Sequence, residues 1–442
     1  PNHIALTDIH LAADSILYSE ALTHAVIRKM SMKEKSGLKL DQLYASLTMD
    51  STDVDMPTLL IRTPYSEIMG KAKVSIKVAD ETQPGPFDIQ LFGSIGKGDV
   101  MAFCGSMPKA FINRYPNHPI SLRADINGNI NNITIDKLNI NLPTALRMNV
   151  DGWVKDAMNA DKLKAHINLV ARTYNLGFIT CMLPADIMAN YRIPQGITAK
   201  GNIDVNSNRY SANLLIAEGK GRIKAKGEVD TKSERYKANI DINGINIRHF
   251  MPHDSIGIIN AQLNAHGRGF DIMSKSATAN ANASVTRLDL GSNNLNNFTA
   301  KANVANGKGE VNISGNNHLL DGTIDLYALI DKKNIDATVA ADIMRLDLHQ
   351  MRITDKPMTI AVCMHADVAS DLNQSHKADA IINDLSIITE EKTYRPADIT
   401  LRLMTNPDTT MADMKSGNLI LKLNAKGGYE SLMSCGEKIT NE

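Results

Sequence analysis

Cys363-Met364-His365 sets two metal-ligating residue types one residue apart. A zinc site draws its ligands from two such pairs or from clustered histidines, and no second pair lies nearby in the sequence. Cys363 also fits the apolar side of an alternating strand, which is where it is expected. Gly-Lys-Gly occurs at Gly96–Gly98, Gly219–Gly221 and Gly307–Gly309. A phosphate loop would need glycine in place of Leu91 and Ser or Thr in place of Gly98, so these triplets read as strand-connecting turns. The acid pair Asp53/Asp55 alternates along one strand face and is expected in water. His249 and His253 sit beside an expected turn and are read as solvated. No G-x-S-x-G nucleophile elbow is present. The sequence therefore offers no catalytic constellation, no metal site and no cofactor motif, and it does not read as an enzyme.

Composition narrows the classes further. Over 442 residues, 48 Lys and Arg balance 48 Asp and Glu, without the basic excess of a nucleic-acid binder. One Trp, eight Phe and eleven Tyr leave any apolar surface to aliphatic side chains. The four cysteines, Cys104, Cys181, Cys363 and Cys435, are far apart and are read as isolated small hydrophobes rather than a disulfide framework. No run reaches the roughly 18 apolar residues of a membrane-spanning helix. The chain opens at Pro1 already in a strand-like pattern, Ile4 and Leu6 then Ile9 and Leu11, and is read as an internal piece of something longer.

Behind these residues lies a repeated strand pattern. Gly201, Ile203, Asp204, Ser207, Arg209, Tyr210 and Ala212 reappear as Gly227, Val229, Asp230, Ser233, Arg235, Tyr236 and Ala238. Apolar and polar residues alternate in each copy, a period of two that puts them on opposite faces of a pleated strand. Alternation predicts strands at Ile4–Leu11, Leu38–Met49, Val74–Val78 and Phe87–Phe92. Ten more are expected between Ala199 and Ala341, then Met358–Met364, Ala378–Ile382, Ile399–Leu403 and Leu419–Leu423. Two helix signals interrupt them. Ser106-Met107-Pro108 opens a turn pairing Phe111 with Tyr115, and Leu183-Pro184 one pairing Ile187 with Tyr191. Proline suits a helix start, and residues four apart share a face. Similar strands follow each, at Ile120 and Ile197, giving a unit of about 77 residues. A degenerate third copy is expected from Phe250-Met251-Pro252. The segments implied are 1–104, 105–180, 181–250 and 251–442.

Short turns favour antiparallel neighbours, so the fold expected is mainly β: an elongated, repetitive, curved sheet with a few short helices. Charged residues such as Lys224, Lys226, Glu228, Asp230 and Lys237 keep one face wet. The other carries Ile203, Val205, Leu214, Ile216, Ile223 and Val229. Further along it come Ile240, Ile242, Ile259, Leu263, Val285 and Val304, then Val311, Ile313, Ile324 and Leu326. Leaving one such side chain in water costs about 1.5–3 kcal/mol, and ten strands of them cost tens. The face must be covered, either by the sheet folding on itself or by something apolar held in a trough.

Several stretches resemble the periplasmic part of TamB-type proteins of the AsmA-like superfamily, in the form found in Bacteroidetes. They are Leu6–Leu11, Asp14–Tyr18, Ile27–Leu38, Met49–Thr52, Leu59–Ser66 and Ser416–Glu430. The patterns Ile242-x-x-Ile245-x-Ile247, Val285-x-x-Leu288-x-Leu290 and Ile343-x-x-Leu346-x-Leu348 are similar to that superfamily's strand motif. The resemblance implies a taco-shaped β groove that bridges the inner and outer membranes and carries phospholipid acyl chains. It also implies an inner-membrane anchor and an Omp85-type outer-membrane barrel as partner, both engaged through parts not in this chain. Two other readings stay open: a scaffold for outer-membrane protein assembly, and a structural β solenoid or adhesin whose apolar face is filled by its own side chains.

Overall fold

The computed structural model describes residues 6–19, 22–34, 38–80, 82–104, 107–291, 293–330, 334–351 and 353–429. Ile4, Ser106 and Cys435, named above, lie outside them. Among the described residues the fold is mainly β, an open antiparallel sheet of 27 strands with four short helices. The chain divides into two compact units, one of residues 1–228 with 248–254, the other of 229–247 with 255–442. This partition differs from the four segments drawn at the helix signals.

In the first unit, β1 (Leu6–Tyr18), β2 (Leu22–Glu34), β3 (Lys39–Asp50) and β4 (Asp53–Arg62) pair in succession. β5 (Glu67–Ser75) and β6 (Phe87–Ile95) continue the ladder, and helices α1 (Lys97–Phe103) and α2 (Lys109–Arg114) follow. Next come β7 (Ile120–Gly128), β8 (Asn132–Leu142), β9 (Leu146–Lys155) and β10 (Lys164–Thr173). Helices α3 (Gly177–Thr180) and α4 (Ala185–Asn190) precede β11 (Thr198–Asn206) and β12 (Arg209–Glu218). β13 (Gly221–Asp230) carries the division between the units.

The second unit runs through β14 (Arg235–Asn246), β15 (Ile256–Arg268), β16 (Thr278–Leu290) and the short β17 (Asn293–Leu295). β18 (Phe298–Ala305), β19 (Lys308–Asn316), β20 (Leu320–Ile330) and β21 (Ile335–Asp347) follow. β22 (Met358–Ser370), β23 (His376–Thr389) and the short β24 (Thr393–Tyr394) lead to β25 (Ile399–Thr405), β26 (Thr409–Ser416) and β27 (Leu419–Lys426).

Most strand expectations hold, and the exceptions have local causes. The expected strand Val74–Val78 ends at Ser75, because the Val78 N–H turns back to the Ser75 carbonyl at 2.9 Å. The first Gly-Lys-Gly is no turn: Gly96 caps α1, and Lys97 and Gly98 lie inside it. The other two do turn, with φ of 55° at Gly219 and 72° at Gly307. Pro108 and Pro184 stand at the N-caps of α2 and α4 rather than within their first turns. Phe250-Met251-Pro252 opens no helix; a single 3-10 turn, Ile247–His249, precedes it.

The x-x spacing of the recurrent motif has a geometric meaning. Three residues cannot separate two side chains on one face of a regular strand, so one extra residue must bulge out. The ladders slip there, between Ile242 and Ile245 on β14 and between Ile343 and Leu346 on β21. On β16, Val285 and Arg287 oppose the adjacent residues Ala261 and Asn260. The same slip occurs at Ile27/Met30, Met56/Leu59 and Ile135/Leu138 in the first unit, and at Asn383/Ser386 on β23. Within each unit these bulged strands run in one direction. Gly244 fills its bulge at φ 65°, its N–H bonded to Asn260 Oδ1 at 2.6 Å. A side chain there costs about 1–2 kcal/mol. Gly244→Val is therefore expected to lower the denaturant midpoint of unfolding, and Gly244→Asn, whose residue tolerates this conformation, to lower it less; equal losses would remove the backbone explanation.

Candidate functional site

Residues directly opposite in an antiparallel ladder project to the same side, so register identifies each face. In the first unit one row crosses Ile27, Ala45, Leu59, Gly70, Leu91 and Ala124. It continues through Leu138, Val150, Leu169, Gly201 and Leu214. In the second, a row crosses Ile240, Leu263, Ala283, Ala300 and Ile313, then Ile324, Ala341, Met364, Ile382 and Ile399. At about 4.8 Å per strand this second row measures roughly 43 Å along the sheet. Neither row contains a charged residue.

Small residues stand among the large ones along these rows, and that mixture sets burial. Ala45 is buried between Ile27 and Leu59, Ala124 between Leu91 and Leu138, and Ala341 between Ile324 and Met364. At Gly70 a Cβ would stand 2.7 Å from Leu91 Cδ2 and 2.1 Å from the Gln90 carbonyl oxygen, so no side chain fits. Most of the large residues on the face remain half-exposed.

The structure brings the residues expected on this face together by register. Ile203 lies opposite Ala212 and Ile167, Val205 opposite Tyr210, Leu214 opposite Gly201, and Ile216 opposite Ala199. Ile223 and Val229 keep the alternation of β13, half-buried between exposed Lys224, Lys226 and Glu228. Ile242 faces Ala261, which faces Val285 on its other side, and Ile259 faces Ile245. Val304 faces Ala279, Val311 faces Leu326, and Ile313 faces Ile324. Sequence reasoning stopped short at both ends. Leu91, Leu138 and Leu169 in the first unit, and Met364, Leu401 and Leu421 in the second, extend the same face. The signal for them was the same period of two.

The chain exposes 27511 Å² for 48.3 kDa, whereas two separate compact globules of half that mass would expose only about 20,000 Å² together. Among the described residues the one cluster built on helices joins Phe111, Tyr115 and Phe178 to Leu142 and Ala145, at the β8–β9 turn. Cys104 and Cys181 pack against it as small hydrophobes, and burial pushes the Tyr115 phenol above its usual range.

The opposite face carries charged residues that pair with one another. Asp379 accepts from Lys377 Nζ at 2.8 Å and Arg402 Nε at 2.7 Å; these bonds hold its carboxyl below the usual carboxylate range. Asp80, in the turn after β5, accepts the Gln83 and Thr82 N–H groups and the Thr82 hydroxyl and is lowered to about 2. Whatever stability these bonds add is present above the unfolded carboxylate pKa near 4 and is lost as pH falls through the lower folded values. One hollow of 550 Å³ opens on this face, lined by Glu310, Tyr327, Thr338, Asp367 and Asp379. The apolar face is a strip rather than a cavity.

Two expectations about individual residues are corrected. Cys363 lies opposite Asp342 and Asn383 on the polar face and is exposed, because Met364 takes the apolar position opposite Ala341 and Ile382. His249 is not simply solvated: its Nδ1 lies 2.6 Å from the buried Glu218 carboxylate. Among the described residues no three His, Cys, Asp or Glu side chains converge as a metal site, and no helix is long and apolar enough to cross a membrane.

No family model, curated protein or solved structure matches this chain. A folded protein whose apolar strip faces solvent should take up an environment-sensitive apolar dye without denaturant. Nile red is expected to fluoresce with the native chain, and a double substitution Ile313→Lys/Ile324→Lys to reduce that signal at unchanged circular dichroism. A native chain that leaves the dye dark would show the strip to be covered.

Proposed function

We propose that this chain holds phospholipid acyl chains along its apolar face and lets them move across the strands, as a segment of a lipid-transfer protein of a bacterial envelope. The observation that carries the reading is the uncharged aliphatic row that continues from strand to strand within each unit. Burying a methylene contributes about 0.8 kcal/mol, so a 16-carbon chain gains on the order of 12 kcal/mol on leaving water. Side chains of one chemical kind make that gain similar at every strand, which removes deep traps. The polar face keeps the other side solvated. A sheet that fills its own apolar face is the competing reading, and the surface this chain exposes weighs against it. The resemblance to TamB-type proteins extends the proposal to the periplasm, with an inner-membrane anchor and an Omp85-type barrel engaged by other parts of such a protein.

A cation placed among acyl chains costs about 2.5–3.5 kcal/mol. Ile203→Arg, Ile223→Arg and Ile240→Arg are each expected to cut copurifying phospholipid about tenfold or more in native mass spectrometry, with the strand signal in circular dichroism intact. The proposal fails if the unmodified chain carries no lipid and photoactivatable phospholipid does not crosslink to this face.

A further inference from the structure

The two proline-capped helices with a four-residue apolar pair meet opposite fates. In α2 the pair is buried, Phe111 at 7% and Tyr115 at 5% exposure. In α4 it is open to water, Ile187 at 38% and Tyr191 at 51%. Phe178 of α3 explains the first case, packing 5.8 Å from Phe111 and 5.3 Å from Tyr115 between ring centroids. Around α4 the exposure continues: Ile179, Met182 and Leu183 precede it and Ile193 follows it, all exposed. Scattered apolar side chains on a surface need no explanation, but a contiguous set marks an interaction site.

Cations outnumber acids beside this set. Arg172 and Arg192 flank it in the sequence and are exposed; Lys109 and Arg114 are exposed on α2, which packs on α3. Arg192 is also fixed in place, its Nε donating to the His249 carbonyl at 2.7 Å and its N–H to the Phe250 carbonyl at 2.8 Å. Two carboxylates at this end of the strands are withdrawn. Asp99 is buried and accepts from the Thr63 and Ser66 hydroxyls, and Glu218 is buried against His249. Asp186 is the one acid in the sequence from Leu176 to Ile197.

We infer that the α3–α4 segment docks on a bilayer surface bearing anionic phospholipid. Its aliphatic side chains enter the boundary between headgroups and acyl chains, and the flanking cations meet lipid phosphates. Short amphipathic elements bind membranes by this combination of buried apolar area and attraction to anionic lipid. Tyr191 has the apolar ring and polar tip suited to that depth. Charge complementarity selects this occupant. The inference does not depend on the lipid-carrying role of the sheet, since an edge can dock on a membrane whether or not the face behind it holds lipid.

Flotation of the full chain with vesicles tests it. The chain is expected to float with vesicles of phosphatidylcholine and phosphatidylglycerol, and much less with phosphatidylcholine alone. Leu183→Ser/Ile187→Ser should lower the floating fraction about tenfold. Lys109→Gln/Arg114→Gln should lower it about fivefold for each cation removed. Leu423→Ser, an exposed apolar position on β27, should float as the parent does. All these residues are exposed, and circular dichroism verifies that each variant folds. The α3–α4 variants should keep any copurifying lipid, and Ile240→Arg should keep vesicle binding, so failure here is distinct from failure of the proposed function. The inference is overturned if the parent chain stays unbound to anionic vesicles, if Leu183→Ser/Ile187→Ser floats as well as the parent, or if Leu423→Ser loses as much.

Discussion

Backbone pairing in register is the interaction on which everything else in this protein depends. Side chains alternate across a strand, so a slip by one residue would exchange the faces entirely. Ile240 opposite Leu263 and Ile313 opposite Ile324 are apolar pairs only because each turn sets the next strand in phase. The tight turns do this with residues suited to them, such as Gly307 at φ 72° and Ser207 at φ 56°. A charge on the apolar side of any one strand would interrupt its row, and none stands in the rows traced through either unit.

Bulges keep the phase where a strand carries an extra residue. Ile343 and Leu346 remain on one face because Met344 and Arg345 together oppose a single partner position. Met344 is consequently driven to the solvent side and is among the exposed apolar residues. A bulge also bends its strand and increases the local twist. Repetition on strands of one direction within a unit places that distortion on every second strand or a multiple of it.

Apolar surface is left open in two different forms. On the sheet it is a broad aliphatic strip, flat in chemistry and free of charge, suited to a long flexible hydrocarbon. At α3–α4 it is compact, mixed with a tyrosine and bordered by arginine and lysine, suited to an interface where hydrocarbon meets phosphate. Both are costly to leave in water. Ionisable groups of the polar face pair with one another, as Asp379 does with Lys377 and Arg402.

The sequence by itself determined the strands, their faces and the two proline-capped helices, because a period of two and an i, i+4 pair are local patterns written in consecutive residues. It carried the bulges too, in the three-residue spacing of Ile242 and Ile245, although the spacing acquires its meaning from the neighbouring strand. Phe111-x-x-x-Tyr115 and Ile187-x-x-x-Tyr191 look alike in the sequence, and only the tertiary structure separates them: Phe178 arrives from α3 to bury the first pair, and no equivalent ring reaches the second. The side on which Cys363 lies was likewise decided by the register of β22 against β21 and β23, and the partner of His249 by a contact with Glu218 from a distant strand. Such contacts join residues far apart in the chain, and no local pattern encodes them.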